Sequence, residues 1–212
     1  MKRFITIAAF FAALLISFEA QAQLTISAGY AGETVSIDTL ATGKRGTNYF
    51  DGFSFGLNWR FALTSNIDLS VGARYRSCIR TESKHYLMDT TFTHFDLKER
   101  QNSVDVPVLL YYNIPIGKVS LCPFVGPMMS FATSGSTHTE WTYPYNTQST
   151  VEWYENNGPR KRFNVYAMAG LNARFGHVNL MGCYRYGLLE LSNREAFSIK
   201  TSGFTVAVGY EF

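Results

Sequence analysis

After Phe18 the chain holds no unbroken apolar stretch of the roughly 18 or more residues that a membrane-spanning helix requires. That excludes helical spans from the rest of the chain and nothing more, because barrel strands carry their hydrophobicity in alternation, which average hydropathy misses. Cysteine is scarce, with Cys78, Cys122 and Cys183 the full complement. Three thiols are too few for the framework of a disulfide-stapled scaffold, and no CxxC pair or zinc-type spacing is present. Cys122 and Cys183 fall on non-adjacent expected strands, so free thiols are expected.

A strong charge of one sign is also missing. Removing Lys2, Arg3 and Glu19 from 19 basic and 16 acidic residues leaves 17 and 15, a net charge of +2. That balance argues against a nucleic-acid partner. A His-x-Ser pair is absent, and the GxSxG spacing at Gly52-Phe-Ser-Phe-Gly56 falls inside an expected strand rather than at a strand-to-helix elbow, so no hydrolase or acyltransferase site is read from the sequence. The four histidines, His85, His94, His138 and His177, show no matched spacing. Three fall in expected outer loops and one in a turn, and they read as surface histidines. No catalytic residue, cofactor or metal ligand is assigned, and a protein without catalysis is expected.

What the chain does have begins with Met1-Lys2-Arg3, an apolar run from Phe4 to Phe18, and Ala20-Gln21-Ala22. A charged start, a short apolar middle and a small-x-small site describe a secretory signal peptide, residues 1–22. No Cys follows the cleavage site, which disfavours a lipid anchor. Residues 23–212 then form one domain.

The clearest pattern in that domain is its last strand. Phe204, Val206, Val208, Tyr210 and Phe212 share one face, and Thr205, Ala207, Gly209 and Glu211 the other. An apolar face opposite a small or polar one is what a strand between lipid and a polar lumen displays. The same alternation recurs at Leu24–Tyr30, Phe53–Phe61, Ile67–Arg76, Val104–Tyr112, Val119–Pro127, Phe163–Phe175 and Val178–Leu188. Eight strands are therefore expected. Pro123 and Pro127 make the fifth the weakest, since each removes a ladder donor. Polar connections are expected at residues 33–51, 77–102, 130–162 and 190–201, alternating with short turns.

Long connections alternating with short ones, and an even strand count, describe an all-β, eight-stranded antiparallel up-and-down transmembrane β-barrel. Both termini are expected in the periplasm. In that arrangement the outward aromatics form two rings: Phe61, Tyr112, Phe175, Tyr210 and Phe212 at the inner rim, and Tyr30, Phe53, Tyr75, Phe163, Tyr186 and Phe204 at the outer. A bilayer selects such girdles. A soluble lipocalin-like barrel is the structural rival, with its apolar face turned inward.

The fourth strand also carries a family resemblance. Val106-Pro-Val-Leu-Leu-Tyr-Tyr112 resembles the aliphatic-Pro-aliphatic run of the PorT-type outer-membrane beta-barrel domain family, within the broader OmpA/OmpX-like eight-stranded barrels. Pro123-Phe-Val-Gly-Pro127, Arg185-Tyr-Gly-Leu188 and Gly209-Tyr-Glu-Phe212 are similar to its later strands. The departure is Tyr111, where the family leads one to expect a base. The resemblance implies the barrel fold and an outer-membrane location. PorT itself is associated with a protein-secretion machine, a role that fold kinship does not transfer. The ending at Tyr210 and Phe212 also resembles the signal read by the barrel assembly machinery.

The inward charges are expected to form a lumen network. Its members are Arg60 and Asp68, paired across a hairpin symmetric about Thr64, then Arg74 and Asp105 at similar heights, with Arg76, Arg174, Arg185 and Glu211. Ion pairing is the reading, because unpaired charges in a dry lumen are costly. The loop carrying Trp141, Tyr143, Tyr145, Trp153 and Tyr154 would anchor a protein partner or pack over the barrel mouth. Arg160-Lys161-Arg162 beside it would contact acidic lipid phosphates or solvate the rim. Partners expected are outer-membrane lipids and, during biogenesis, the assembly machinery. The functional expectation is a structural or interacting barrel. A secretion accessory and an outer-membrane lipid-modifying enzyme are the alternatives.

Overall fold

The computed structural model describes residues 23–39, 43–88, 91–141, 147–154, 158–194 and 196–212. The expected signal peptide lies outside them. Ten strands occur among the described residues: β1 (Gln23–Thr39), β2 (Lys44–Ala62), β3 (Ile67–Met88), β4 (Thr91–Tyr112), β5 (Ile114–Ile116), β6 (Val119–Trp141), β7 (Thr147–Glu152), β8 (Phe163–Phe175), β9 (Val178–Gly187) and β10 (Phe197–Glu211). Eight are staves of a closed ring. Antiparallel neighbours run from β1 through β2, β3 and β4 to β6, then β8, β9 and β10, which pairs back onto β1. β5 carries the line of β4 past Asn113 into the turn before β6, and β7 lies along the far end of β6.

Alternation sorts the two faces. On β10, Val206 and Val208 are 49% and 56% exposed, whereas Thr205 and Ala207 are 1% and 3%. Phe55 and Trp59 on β2 also face outward. The lipocalin-like arrangement would enclose these side chains, so it is excluded. Tyr30, Phe53, Tyr75, Phe163, Tyr186 and Phe204 are exposed at one edge of the apolar belt, and Tyr112, Phe175, Tyr210 and Phe212 at the other. Phe61, expected in the second ring, is buried.

The turns at the Phe212 end are short. Gly117 and Gly176 take φ of +63° and +61° there, a left-handed backbone that a Cβ disfavours. The β2–β3 turn occupies residues 63–66, with Thr64 Oγ1 accepting from the N–H groups of Asn66 and Ile67 at 3.3 and 3.1 Å. This places Arg60 opposite Ser70 and Ala62 opposite Asp68. The hairpin is thus centred on Ser65 rather than Thr64, so Arg60 and Asp68 do not face each other.

At the other end the expected loops are largely strand. β3 and β4 pair from Ile67↔Tyr112 up to Met88↔Thr91, and β6 continues to Trp141. At about 3.3 Å per residue these staves run roughly 70 Å, about twice what a belt about 25 Å tall requires when crossed at a tilt of about 40°. Above the belt neither face meets lipid, so the outward positions are largely polar and the regular apolar alternation disappears while the ladder continues. Both prolines of β6 are tolerated. Pairing of β3 with β4 lapses between Val71↔Val108 and Arg74↔Asp105, at Pro107, and that of β4 with β6 lapses between Pro107↔Met128 and Leu110↔Val125, at Pro127. The ladder skips where donors are missing. β4 and β6 stay close, since a Cβ on Gly126 would lie 2.1 Å from the Val108 carbonyl oxygen.

The sidedness makes a quantitative demand. Val208→Arg, in mid-belt, is expected to cost about 2–4 kcal/mol in phospholipid vesicles. Thr47→Arg, on the projecting wall, is expected to stay within about 0.5 kcal/mol of wild type. Urea unfolding of both variants reads the difference, and equal costs would contradict the assignment of the belt.

Candidate functional site

Two regions concentrate chemistry: the interior of the ring and its mouth above the belt. The interior begins with residues aimed inward by strand alternation. Arg76 on β3 and Asp105 on β4 are fully buried, with Arg76 Nε 3.0 Å from Asp105 Oδ2. Arg76 also pairs with Glu33 of β1, and Arg185 of β9 approaches the same carboxylate at 3.4 Å. Much of the remaining capacity of the quartet is taken up locally, although Arg185 Nε is buried without a protein partner. Ser130 donates to Asp105, and Arg185 donates to Thr205 Oγ1 at 2.8 Å and to the Gly32 carbonyl at 3.1 Å. Gln101 Nε2 donates to Glu33 at 3.4 Å. Two guanidiniums and two carboxylates cancel, which lets charge stay buried where removing one partner would strand another.

Nearer the short turns, Glu211 pairs with Arg174 and lies 3.8 Å from Arg60. Arg60 stacks over Tyr111 at 4.4 Å from the ring centroid, so a cation from β2 reaches the position where the family resemblance led one to expect a base. Asp68 accepts from Asn113 Nδ2 at 2.7 Å. Arg74 is level with Asp105 in the β3–β4 register, yet its guanidinium points to Met181 Sδ at 3.7 Å, and Asp105 belongs to Arg76. A cavity of about 30 Å³ lies among Thr25, Asn58, Arg60, Tyr111 and Asn179. Arg60 Nη1, Asn179 Nδ2 and Glu211 Oε2 are buried without a protein partner, the setting in which small cavities hold water. Above and around it Leu109, Met128, Tyr166 and Met168 are buried, and side chains fill the ring.

All eight charged residues expected in the lumen point inward: Arg60, Asp68, Arg74, Arg76, Asp105, Arg185 and Glu211 are buried, and Arg174 is partly so. Glu33 was missed because residues 33–51 read as loop. Continuing the inward series Thr25, Ser27, Gly29, Ala31 by one step would have reached it. The three cysteines are buried and free.

The mouth is closed by a second apolar cluster of Ala31, Val35, Phe50, Cys78, Trp153, Leu191 and Ile199. Trp153 meets Phe50 edge-on at 6.2 Å, and its Nε1 donates to Thr137 Oγ1 at 2.7 Å. Arg160 stacks over the Trp153 ring at 3.8 Å from its centroid. Of the two readings left open for this loop, Trp153 takes the packing over the mouth: it is buried, and Tyr154 beside it is partly so. An indole above a polar lumen gains more by covering it than by facing water. Burial pushes the Tyr154 phenol up to about 12. Trp141 remains exposed and packs on Phe95 at 4.6 Å, while Tyr143 and Tyr145 lie outside the described residues. The basic run is divided. Arg160 is turned inward, Arg162 donates to the carbonyls of Thr133 and Tyr154 at 3.1 and 2.9 Å, and Lys161 is exposed.

The β9–β10 connection clasps this lid. Lys161 N–H donates to the Leu191 carbonyl at 2.8 Å, and Asn193 Nδ2 to that of Gly158 at 2.9 Å. Glu190 braces the connection by accepting from Ser198 Oγ and from the N–H groups of Ser192 and Ile199. Burial pushes its carboxyl up, but those three donors outweigh it and hold the group below its ordinary range.

A family model described as outer membrane protein beta-barrel domain matches residues 8–212. Similar solved structures include Ail, the attachment invasion locus protein of Yersinia pestis, in complex with the heparin analogue sucrose octasulfate, with TM-score 0.47, 16% identity and coverage of 90% of this chain and 99% of that one. The outer membrane protease OmpT of Escherichia coli gives TM-score 0.49 and 14% identity over 92% and 98%. The outer membrane protein OprG of Pseudomonas aeruginosa gives 0.39 and 12% over 91% and 97%. No curated protein sequence gives a significant match.

Two outcomes are expected from the geometry. Asp105→Ala leaves Arg76 short of a carboxylate and is expected to cost about 3–5 kcal/mol in urea unfolding. Glu190 has a lowered carboxyl pKa, so its bracing is complete above the ordinary Glu value of about 4.3 and is lost as pH falls through the folded-state value. Wild type is expected to be more stable than Glu190→Gln near neutral pH, with the difference closing on acidification.

Proposed function

The chain belongs to the outer membrane protein beta-barrel domain family and is an integral outer-membrane barrel; from that premise we propose that it is non-catalytic and acts through its projecting surface rather than through its lumen. The observation carrying this reading is the double closure. Buried Arg76, Glu33, Asp105 and Arg185 occupy the ring, and Trp153 and Leu191 cover its mouth. A solute path would require several desolvated ion pairs to part together. The staves above the belt present a wide polar wall, and such a surface suits contacts outside the cell. In this orientation the short turns, with Gln23 and Phe212, face the periplasm. Lipids contact the belt, and the assembly machinery reads Tyr210 and Phe212.

A non-catalytic role is supported by how the nearest candidates are engaged. Ser134 Oγ accepts from Asn102 at 2.8 Å, and His138 Nδ1 contacts Thr150 Oγ1 at 3.0 Å, so neither is poised against the other. The secretion-accessory alternative rests on the resemblance of Val106–Tyr112 and the later strands to the PorT-type family. Native-membrane purification separates the readings: a stable companion of secretion-machine composition supports the accessory, and the barrel alone the structural role. Planar-bilayer recording tests the closed lumen. Wild type is expected to show no steady large conductance, and a sustained open channel would overturn the proposal.

A further inference from the structure

Above the belt, two residues that sequence spacing leaves unrelated are brought face to face. His85 of β3 and His94 of β4 are direct cross-strand partners near the tip of their hairpin. Their Nδ1 atoms lie 3.0 Å apart and their ring centroids 4.6 Å apart. One residue pair nearer the belt on the same face, Ser83 stands opposite Asp96. His94 Nε2 is 2.7 Å from Asp96 Oδ2, and Ser83 Oγ donates to the other oxygen of that carboxylate. The carboxylate sets the tautomer. With Nε2–H donated to Asp96, the Nδ1 of neutral His94 carries a lone pair aimed at His85.

We propose that His85 and His94 form a binding site for a borderline divalent transition-metal ion, with Asp96 as the positioning residue. Imidazole nitrogen is the ligand such ions select, and a carboxylate on the far nitrogen of a ligating histidine orients the ring and raises its basicity. With bonds of about 2.0–2.1 Å to each nitrogen, two nitrogens 3.0 Å apart subtend about 95° at the metal. That is close to the right angle of a cis pair in the tetragonal field of Cu(II) or Ni(II). In the metal-free hairpin His85 donates its Nδ1–H to His94. On binding, it moves that proton to its solvent-exposed Nε2 by exchange with water, so two neutral imidazoles ligate without net proton release. Glu140 faces Asp96 from β6 and adds negative charge to the surroundings. Among the described residues no group of three His, Cys, Asp or Glu side chains converges on one point. The site therefore supplies two protein ligands and leaves the other positions to water or an incoming group. The metal closes a cross-strand link and stiffens the hairpin.

Titration of the full chain in detergent micelles with Cu(II) tests the site, read by calorimetry and by electron paramagnetic resonance. Wild type is expected to bind one Cu(II) with a two-imidazole nitrogen pattern. His85→Ala and His94→Ala are each expected to weaken binding more than about tenfold and to leave a one-nitrogen pattern. Asp96→Ala is expected to weaken it about tenfold with both nitrogens retained, and Asp96→Asn, which keeps an acceptor for Nε2–H, to recover part of the loss. His138→Ala should bind as wild type does. Urea unfolding of each variant in vesicles verifies that the barrel is intact. Equal affinity in wild type and in the His85→Ala/His94→Ala double variant would overturn the proposal, as would a wild type that shows no saturable binding.

Discussion

A backbone in hydrocarbon has no water to satisfy its N–H and C=O groups, and this one constraint dictates the architecture. A sheet with a free edge would leave a row of unmet groups in lipid, so β10 must return to β1. It does so over residues Thr25–Thr39, antiparallel and in continuous register with Glu211–Phe197. Once the ring is shut, the two faces of every stave acquire different solvents, and side-chain alternation becomes compulsory. The lapses at Pro107 and Pro127 show how little tolerance remains. The ladder skips beside each of these prolines, yet the neighbouring backbones stay close enough that Gly126 has no room for a Cβ.

Closure also creates the interior problem. An eight-stranded ring is too narrow for a free aqueous pore yet is lined by whatever the inward positions supply. Here those positions include arginines and carboxylates, and the solution is mutual neutralisation, with hydroxyl and carbonyl groups such as Thr205 Oγ1 and the Gly32 carbonyl taking further donors. Arg76 reaches two carboxylates and Glu33 two guanidiniums, so the quartet has no single weak partner. Arg74 is the member served least well, facing a thioether. The lower lumen is correspondingly looser, with the small cavity beside Arg60.

Inside the belt, the sequence was readable because lipid imposes a sharp contrast on neighbouring residues: Phe204 to Phe212 alternates so cleanly that one face could be named in advance. Just past Tyr30 the contrast ends, and with it legibility. Ala31, Glu33 and Val35 continue the inward series, but their outward neighbours are no longer apolar, and the stretch reads as loop. Residues 77–102 failed for the same reason, concealing the β3–β4 ladder and with it the meeting of His85 and His94. Register was the other limit. A four-residue turn moved the hairpin centre by one residue and broke the Arg60–Asp68 assignment, a shift that alternation alone does not resolve. Trp153 stayed between two readings, anchor or mouth cover, because aromatic content says nothing about which way a side chain points once the lipid has gone.

The cluster around Phe50, Trp153, Leu191 and Ile199 gives the molecule two kinds of adhesion. Below it, apolar side chains merely exchange protein for acyl chains. Above it, they leave water and carry the heat-capacity signature of hydrophobic burial. The upper storey thus obeys the thermodynamics of an ordinary globular protein, with curved temperature dependence and weakening in the cold. The bilayer-embedded storey responds to acyl thickness and lateral pressure instead. A chill or a chaotrope would therefore unseat the cap while the embedded ring stays whole, exposing the arginine-lined shaft beneath it.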